Sequence, residues 1–211
     1  MTAIEPGRVV AVVGTGTMGQ GIAQVALVAG HPVRLYDAVP GRAEQAAATL
    51  TGRLDRLVGK GRLDASARDA AVARLRPAAD LAELADAALV VEAVLERLSV
   101  KRELFAALED IVGDDCLLAT NTSSLSVTAV AGALRLPGRL VGLHFFNPAP
   151  LLPLVEVVSG SSGAGLKKCR PTRRPGRRRA PATAVTEREE VFVASRQSSP
   201  TMSSRAANSS R

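Results

Sequence analysis

The chain has 211 residues, 46% of them hydrophobic and 2% aromatic, which leaves room for one good-sized domain, or one domain with an appendage. Its formal net charge of +7 is unevenly placed: residues 160–211 hold 12 Lys/Arg against 3 acids, so residues 1–159 hold 15 against 17, and a basic total says little about nucleic-acid binding by the folded part. Cys116 and Cys169 form no metal or disulfide pattern, and the N-terminus lacks a basic segment leading into a long apolar one, so a reduced, cytoplasmic setting is expected.

The elements alternate in period along the first 159 residues. The continuous apolar run "RVVAVVG" (8–14) reads as a strand buried on both faces. A helix is predicted over Met18–Ala29, then a strand over 32–37. Pro40–Lys60 reads as a long amphipathic helix with Leu50, Leu54, Leu57 and Val58 at helical spacing, followed by a shorter helix over Ala65–Leu75. "LVVEAV" (89–94) is a strand, and Ser99–Val112 a helix with Leu104, Phe105, Leu108 and Val112 on one face. Strands at 116–121, 139–146 and 154–158 complete the set, with a helix around Val127–Leu134. Residues 140–158 are apolar enough for a membrane span, but Pro148, Pro150, Pro153 and Glu156 argue against one. The alternation predicts an α/β protein of Rossmann type, with a doubly wound, mostly parallel sheet over residues 1–160.

Residues 161–211 differ in kind. They hold nine Ser and ten Arg but only six Val, Leu, Ile, Met and Phe together, and no period emerges. A segment of that composition buries too little apolar surface to offset its ordering entropy, so a disordered basic tail is expected, with no more than a transient turn of helix in "EREEVFVASR".

Gly14, Gly16 and Gly19 lie between the first strand and the helix after it. In that setting the first glycine permits a tight turn, the second lets backbone approach a pyrophosphate, and the third lets helix pack on strand. The helix N-terminus supplies N–H groups and a positive dipole end for the phosphates. Asp37 ends the next strand 18 residues past Gly19, where an acid accepts hydrogen bonds from ribose hydroxyls and repels a 2′-phosphate, so NAD is expected over NADP. The bland alternative is a glycine-rich turn that holds nothing.

"HFFNPAPLLPLVEVV" (144–158) places His144, Asn147 and Glu156 among apolar residues and prolines. Buried polar groups are costly unless hydrogen-bonded. A neutral His144 within reach of Glu156 makes a base with an orienter, because the carboxylate fixes the tautomer and stabilises imidazolium. The competing reading is a satisfied core histidine. "ATNTSSLSV" (119–127) follows a predicted strand at the carboxyl edge, where Ser123 or Ser124 could bond a substrate hydroxyl or the nicotinamide. These residues could equally end a strand and cap a helix.

Four stretches, "VAVVGTGTMGQGIAQVALVAGH", "VVEAVLERLSVKRELF", "ATNTSSLSVT" and "GLHFFNPAP…LVEVVSG", resemble the 3-hydroxyacyl-CoA dehydrogenases, particularly the bacterial 3-hydroxybutyryl-CoA dehydrogenases. The resemblance covers roughly residues 7–160 in the expected order, and HFFNP with a Glu twelve residues after the His is its most specific part. It implies oxidation of a 3-hydroxyacyl-CoA to the 3-oxoacyl-CoA with NAD. His144 would take the 3-hydroxyl proton, Glu156 would pair with it, Ser123 would contact substrate oxygen and cofactor, and Asn147 would sit beside them. Gly14, Gly16, Thr17, Met18, Gly19 and Asp37 match NAD-binding positions, and Glu96 and Lys101 match further cofactor contacts. Lys60 matches a position that meets coenzyme A phosphates. As plain residues, Lys60 and Lys101 would look the same if they were solvated surface charges.

Two departures stand out. Pro153 replaces a lysine that usually precedes "LVE". Beyond "VEVVSG" the family continues into a helical domain through which it dimerises and closes the acyl-CoA cleft, whereas residues 161–211 resemble nothing in it. Their Arg/Ser/Pro/Ala bias is what an out-of-frame reading of GC-rich coding DNA tends to give, so a frameshift, a sequencing error or a decaying gene near codon 160 is the expected origin. Three functions follow: an acyl-CoA dehydrogenase, an NAD-binding module without turnover, and an acidic-partner or nucleic-acid binder acting through the arginine tail without sequence specificity. The first is the expected one, with an acyl-CoA substrate and no membrane or specific nucleic-acid partner.

Overall fold

The structure is a computed structural model that describes residue 4, residues 7–160 and, as backbone, residues 190–195. Its strands are β1 (Val10–Val13), β2 (Val33–Tyr36), β3 (Leu75–Pro77), β4 (Leu89–Glu92), β5 (Leu117–Thr120), β6 (Leu140–Phe145), β7 (Leu154–Ser159) and β8 (Glu190–Ser195). Between them lie helices α1 (Thr17–Val28), α2 (Arg42–Gly59), α3 (Ala65–Ala73), α4 (Leu98–Glu109) and α5 (Val127–Ala131). The strands form one sheet in the order β3-β2-β1-β4-β5-β6-β7-β8. All neighbours from β3 to β6 are parallel, and β7 and β8 are added antiparallel. The order reverses between β1 and β4, which is where open α/β sheets bind ligands beyond the carboxyl ends of their strands.

The pleat of β1 explains why its sequence is apolar at every position. Val10 and Val12 face one layer with Ile22 and Leu27 of α1, Leu50 and Leu54 of α2, and Leu35 of β2. Ala11 and Val13 face the other, with Phe105 and Leu108 of α4 and Val130 of α5. A strand covered on both faces needs apolar residues at odd and even positions alike. Leu50, Leu54, Phe105 and Leu108 are fully buried, and each such side chain contributes about 1.5–3 kcal/mol relative to exposure.

The predicted helix Ala65–Leu75 is shorter than expected, because Arg74 caps α3 and Leu75 opens β3. A three-residue "LRP" strand is too short to show a period, and its proline suits the sheet edge on which it sits. The turn of helix expected in "EREEVFVASR" is instead strand β8, paired with β7 from Leu154↔Ser195 to Ser159↔Glu190. Val191, Phe192 and Val193 are strand formers, and β7 presents them with an open edge. The disorder expected elsewhere in 161–211 falls outside the described residues. The apolar stretch 140–158 is used as two antiparallel strands, with Pro153 immediately before β7. Among the described residues no helix is long and apolar enough to cross a membrane.

Candidate active site

The β1–α1 turn carries the glycines. Gly14 has φ +92°, and a Cβ there would lie 2.6 Å from the Ala93 carbonyl oxygen. A Cβ on Gly19 would fall 1.8 Å from the Gly14 carbonyl oxygen, so α1 packs on the turn only because that side chain is missing. Gly16 differs: nothing lies within 4 Å of its Cβ position, and no side chain caps α1 there. Open space at Gly16 in front of the first-turn amides of Thr17 and Met18 is the shape a pyrophosphate needs, so the residues fit a dinucleotide.

Asp37, just past β2, is drawn back onto this turn. Its Oδ2 accepts from the Thr15 N–H at 2.9 Å and the Thr15 hydroxyl at 2.7 Å, and its Oδ1 accepts from the Val39 N–H at 3.0 Å. Burial pushes the carboxyl up, but these bonds and the Arg42 charge outweigh it and hold Asp37 below the usual carboxylate range.

At the carboxyl end of β6, His144 stands opposite Glu156 of β7 in register, with Nδ1 2.9 Å from Oε2. The bond to a carboxylate assigns the proton to Nδ1 and leaves Nε2 as the free basic nitrogen. The imidazole is about one-fifth exposed, and Phe146 packs against it with ring centroids 4.6 Å apart. The main chain beyond His144 is tied to β5, because the Phe145 N–H donates to Asn121 Oδ1 at 2.8 Å.

A buried charge network backs the serine loop. Glu92, at the end of β4, accepts from Lys101 Nζ at 2.6 Å, from the Thr120 hydroxyl at 2.6 Å and from the Val94 N–H at 2.7 Å. Glu92 and Lys101 are both fully buried, which overturns the surface-charge alternative for Lys101. Lys101 also reaches Glu96 Oε2 at 3.2 Å. Glu96 Oε1 in turn accepts from the Thr122 hydroxyl, the Ser123 N–H at 3.2 Å and the Ser124 hydroxyl at 3.2 Å. Burial raises the Glu96 carboxyl, while Thr122, Lys101 and Ser123 together bring it below its ordinary value.

Of the loop residues, Thr122 accepts from the Leu125 N–H and Ser126 caps α5 through Ala129, so part of "NTSSLS" serves local structure. The exposed Ser123 hydroxyl makes no such bond among the described residues. Ser123 is joined to Glu96, not to the His144–Glu156 pair.

Lys60 caps the C-terminus of α2 and borders a cleft of about 400 Å³. Thr17, Gly21, Asn147, Pro148 and Leu151 also line it, so Asn147 and Lys60 border one opening. Arg53, Arg56 and Arg62 line the same cleft and make it strongly cationic.

Sequence reasoning missed Glu92, Thr15 and these three arginines. Glu92 left a signal, a lone carboxylate closing an apolar strand with Lys101 nine residues on. Arg53 and Arg56 left one too, since they precede Lys60 at helical spacing. Thr15 had none, because the middle position of a glycine turn has no required residue type.

Comparison with known proteins agrees with this geometry. Residues 9–165 match the family model described as "3-hydroxyacyl-CoA dehydrogenase, NAD binding domain". A 3-hydroxyadipyl-CoA dehydrogenase of Escherichia coli K12 is 48% identical over 157 residues, covering 74% of this chain and 33% of that protein. A 3-hydroxybutyryl-CoA dehydrogenase of Clostridioides difficile is 38% identical over 150 residues, covering 71% of this chain and 53% of that protein. The crystal structure of a 3-hydroxybutyryl-CoA dehydrogenase from Escherichia coli K12 superposes with a TM-score of 0.73 at 47% identity, over 77% of this chain and 34% of that one. The chain thus spans between a third and about half of the length of these relatives. With the family model covering most of the chain and the fold superposing on solved members, the chain belongs to the 3-hydroxyacyl-CoA dehydrogenase family and carries its NAD-binding domain.

Proposed function

We propose that this site oxidises the 3-hydroxyl of a 3-hydroxyacyl-CoA, with His144 as the base. The observation that carries the reading is the His144–Glu156 bond on the same edge of the sheet as the glycine turn. His144 Nε2 takes the hydroxyl proton, and Glu156 holds the ring and stabilises the imidazolium that results. The Ser123 hydroxyl donates to the substrate oxygen, at a position fixed from behind by Glu96 and Lys101. The chemistry that NAD would supply when bound is acceptance of the hydride from C3. Gly14, Gly16, Thr17, Met18 and Gly19 receive its phosphates, and Asp37 its adenosine ribose. The coenzyme A phosphates take the cleft lined by Lys60, Arg53, Arg56 and Arg62, whose charges match them. Asn147, which lines the same opening as Lys60, orients the substrate between cleft and base. Residues 1–160 form the cofactor-holding and catalytic unit in this scheme, and strand β8 (Glu190–Ser195) adds to the edge of the same sheet.

The test is NADH oxidation by the purified chain with acetoacetyl-CoA, the reverse reaction, measured alongside NADH binding. Turnover supports the reading. Binding without turnover favours a second one, a cofactor-holding module that does not close over substrate.

A further inference from the structure

Thr15 occupies the middle position of the glycine turn, is buried, and spends both its backbone N–H and its hydroxyl on one oxygen of Asp37. We propose that Thr15 is the positioning residue that sets the preference of this site for NAD over NADP, by pinning the Asp37 carboxylate across the place where a 2′-phosphate would have to go. The inference rests on the reading of Asp37 as the acid that meets the adenosine ribose.

A carboxylate at the end of the second strand discriminates only if it stays ionised and stays put. An ionised carboxylate has about four acceptor sites. Here Thr15 donates twice to Oδ2 and Val39 donates once to Oδ1, so the group is held from two loops at once. One oxygen is committed to the protein, and Oδ1 keeps acceptor capacity for ribose. The hydroxyl of Thr15 also lies 3.5 Å from the carbonyl oxygen of Arg42, the first residue of α2. Gln20 holds the same turn from beneath, donating to the Thr15 carbonyl at 2.8 Å. Asp37 borders a small cleft of about 150 Å³ together with Val39, Gly41, Glu44 and Ala78.

The consequence concerns what happens when the hydroxyl is removed. The carboxylate then keeps only the two backbone donors and can turn aside. Arg42, whose charge acts on Asp37, is then a cation available to a 2′-phosphate beside that carboxylate. An arginine there is what accommodates NADP on this fold. Glu44 is present in both cases and does not affect the difference. Thr15 therefore acts on the cofactor through Asp37, and its effect should read out as a ratio of affinities, not as a general loss.

The experiment is fluorescence titration of the full chain with NADH and with NADPH. Parent protein should bind NADH much more tightly than NADPH. Thr15→Val, which keeps shape and N–H, should narrow that ratio about tenfold, the effect of one hydrogen bond to a charged group. Thr15→Ser should restore it, and Thr15→Ala should behave like the valine variant if the latter folds poorly. In an Asp37→Asn background Thr15→Val should leave the ratio unchanged. An unchanged ratio in both Val and Ala variants, or a serine variant that behaves like valine, overturns the proposal. Parent protein that binds neither nucleotide overturns instead the cofactor reading on which it rests.

Discussion

His144 and Glu156 face each other across the antiparallel pair β6 and β7, with imidazole Nδ1 2.9 Å from carboxylate Oε2. The register makes this contact a property of the sheet, not of a loop: the two residues are Cα partners in a ladder that also pairs Leu143 with Val157 and Phe145 with Val155. An imidazole held this way has little orientational freedom left to lose, because backbone hydrogen bonds already fix its partner.

If His144 is the base, His144→Ala should lower NADH oxidation with acetoacetyl-CoA by roughly 10²–10⁴-fold while leaving NADH affinity unchanged. Glu156→Gln should cost less, because the ring remains and only its orientation and the stabilisation of imidazolium suffer. Parallel loss of NADH binding and of the unfolding transition in the alanine variant would assign His144 to the core instead.

The two ends of the glycine turn should respond differently to the same substitution. Gly19→Ala places a Cβ 1.8 Å from the Gly14 carbonyl oxygen, so α1 must move, and urea unfolding should report a loss of about 1–3 kcal/mol. Gly16→Ala meets nothing within 4 Å and should leave the unfolding midpoint almost unchanged. Its cost should appear in NADH titration, where the added methyl occupies the approach to the pyrophosphate.

Lys101 and Glu92 form an ion pair with both side chains buried. Lys101→Met leaves the Glu92 charge without its cation and should destabilise the fold by about 3–5 kcal/mol in urea. Adding Glu92→Gln should recover part of that loss, because the second change removes the stranded charge. Equal and additive losses would show that the two do not act as a pair.

Asp37 and Glu96 both titrate below their ordinary values of 3.8 and 4.5 in the folded chain. Above those values both groups are ionised in folded and unfolded states, and the stabilisation is fully present. As pH falls, the unfolded chain takes up protons first, and the contribution shrinks until the folded carboxyls are protonated too. Stability in urea should therefore drop as pH falls below about 4.5. Thr122→Val, which removes a donor to Glu96, should make the drop shallower over the same range.

Much of this was written in the periodicity. β1 reads as a buried strand because both its faces are covered, and α2 announces itself by leucines at helical spacing. β3 was not legible, since three residues carry no period and the pairing of Leu75 with Val33 is decided by a neighbour far away in sequence. β8 lies where composition predicts disorder with at most a transient turn of helix, because its strand character depends on an edge that only the folded sheet provides.

By itself the sequence determined the alternation of strands and helices, the glycine turn with its acid, and the polar trio of His144, Asn147 and Glu156, because these depend on local spacing and on residue chemistry. Only the tertiary structure decided which polar groups touch. It set Lys101 against Glu92 instead of in solvent, tied Ser123 to Glu96, closed Thr15 onto Asp37, and gathered Arg53, Arg56 and Arg62 around the cleft of Lys60. The physical reason is that hydrogen bonds and ion pairs act over about 3 Å, while the sheet brings together residues tens of positions apart, and nothing in local composition records which of them it will bring.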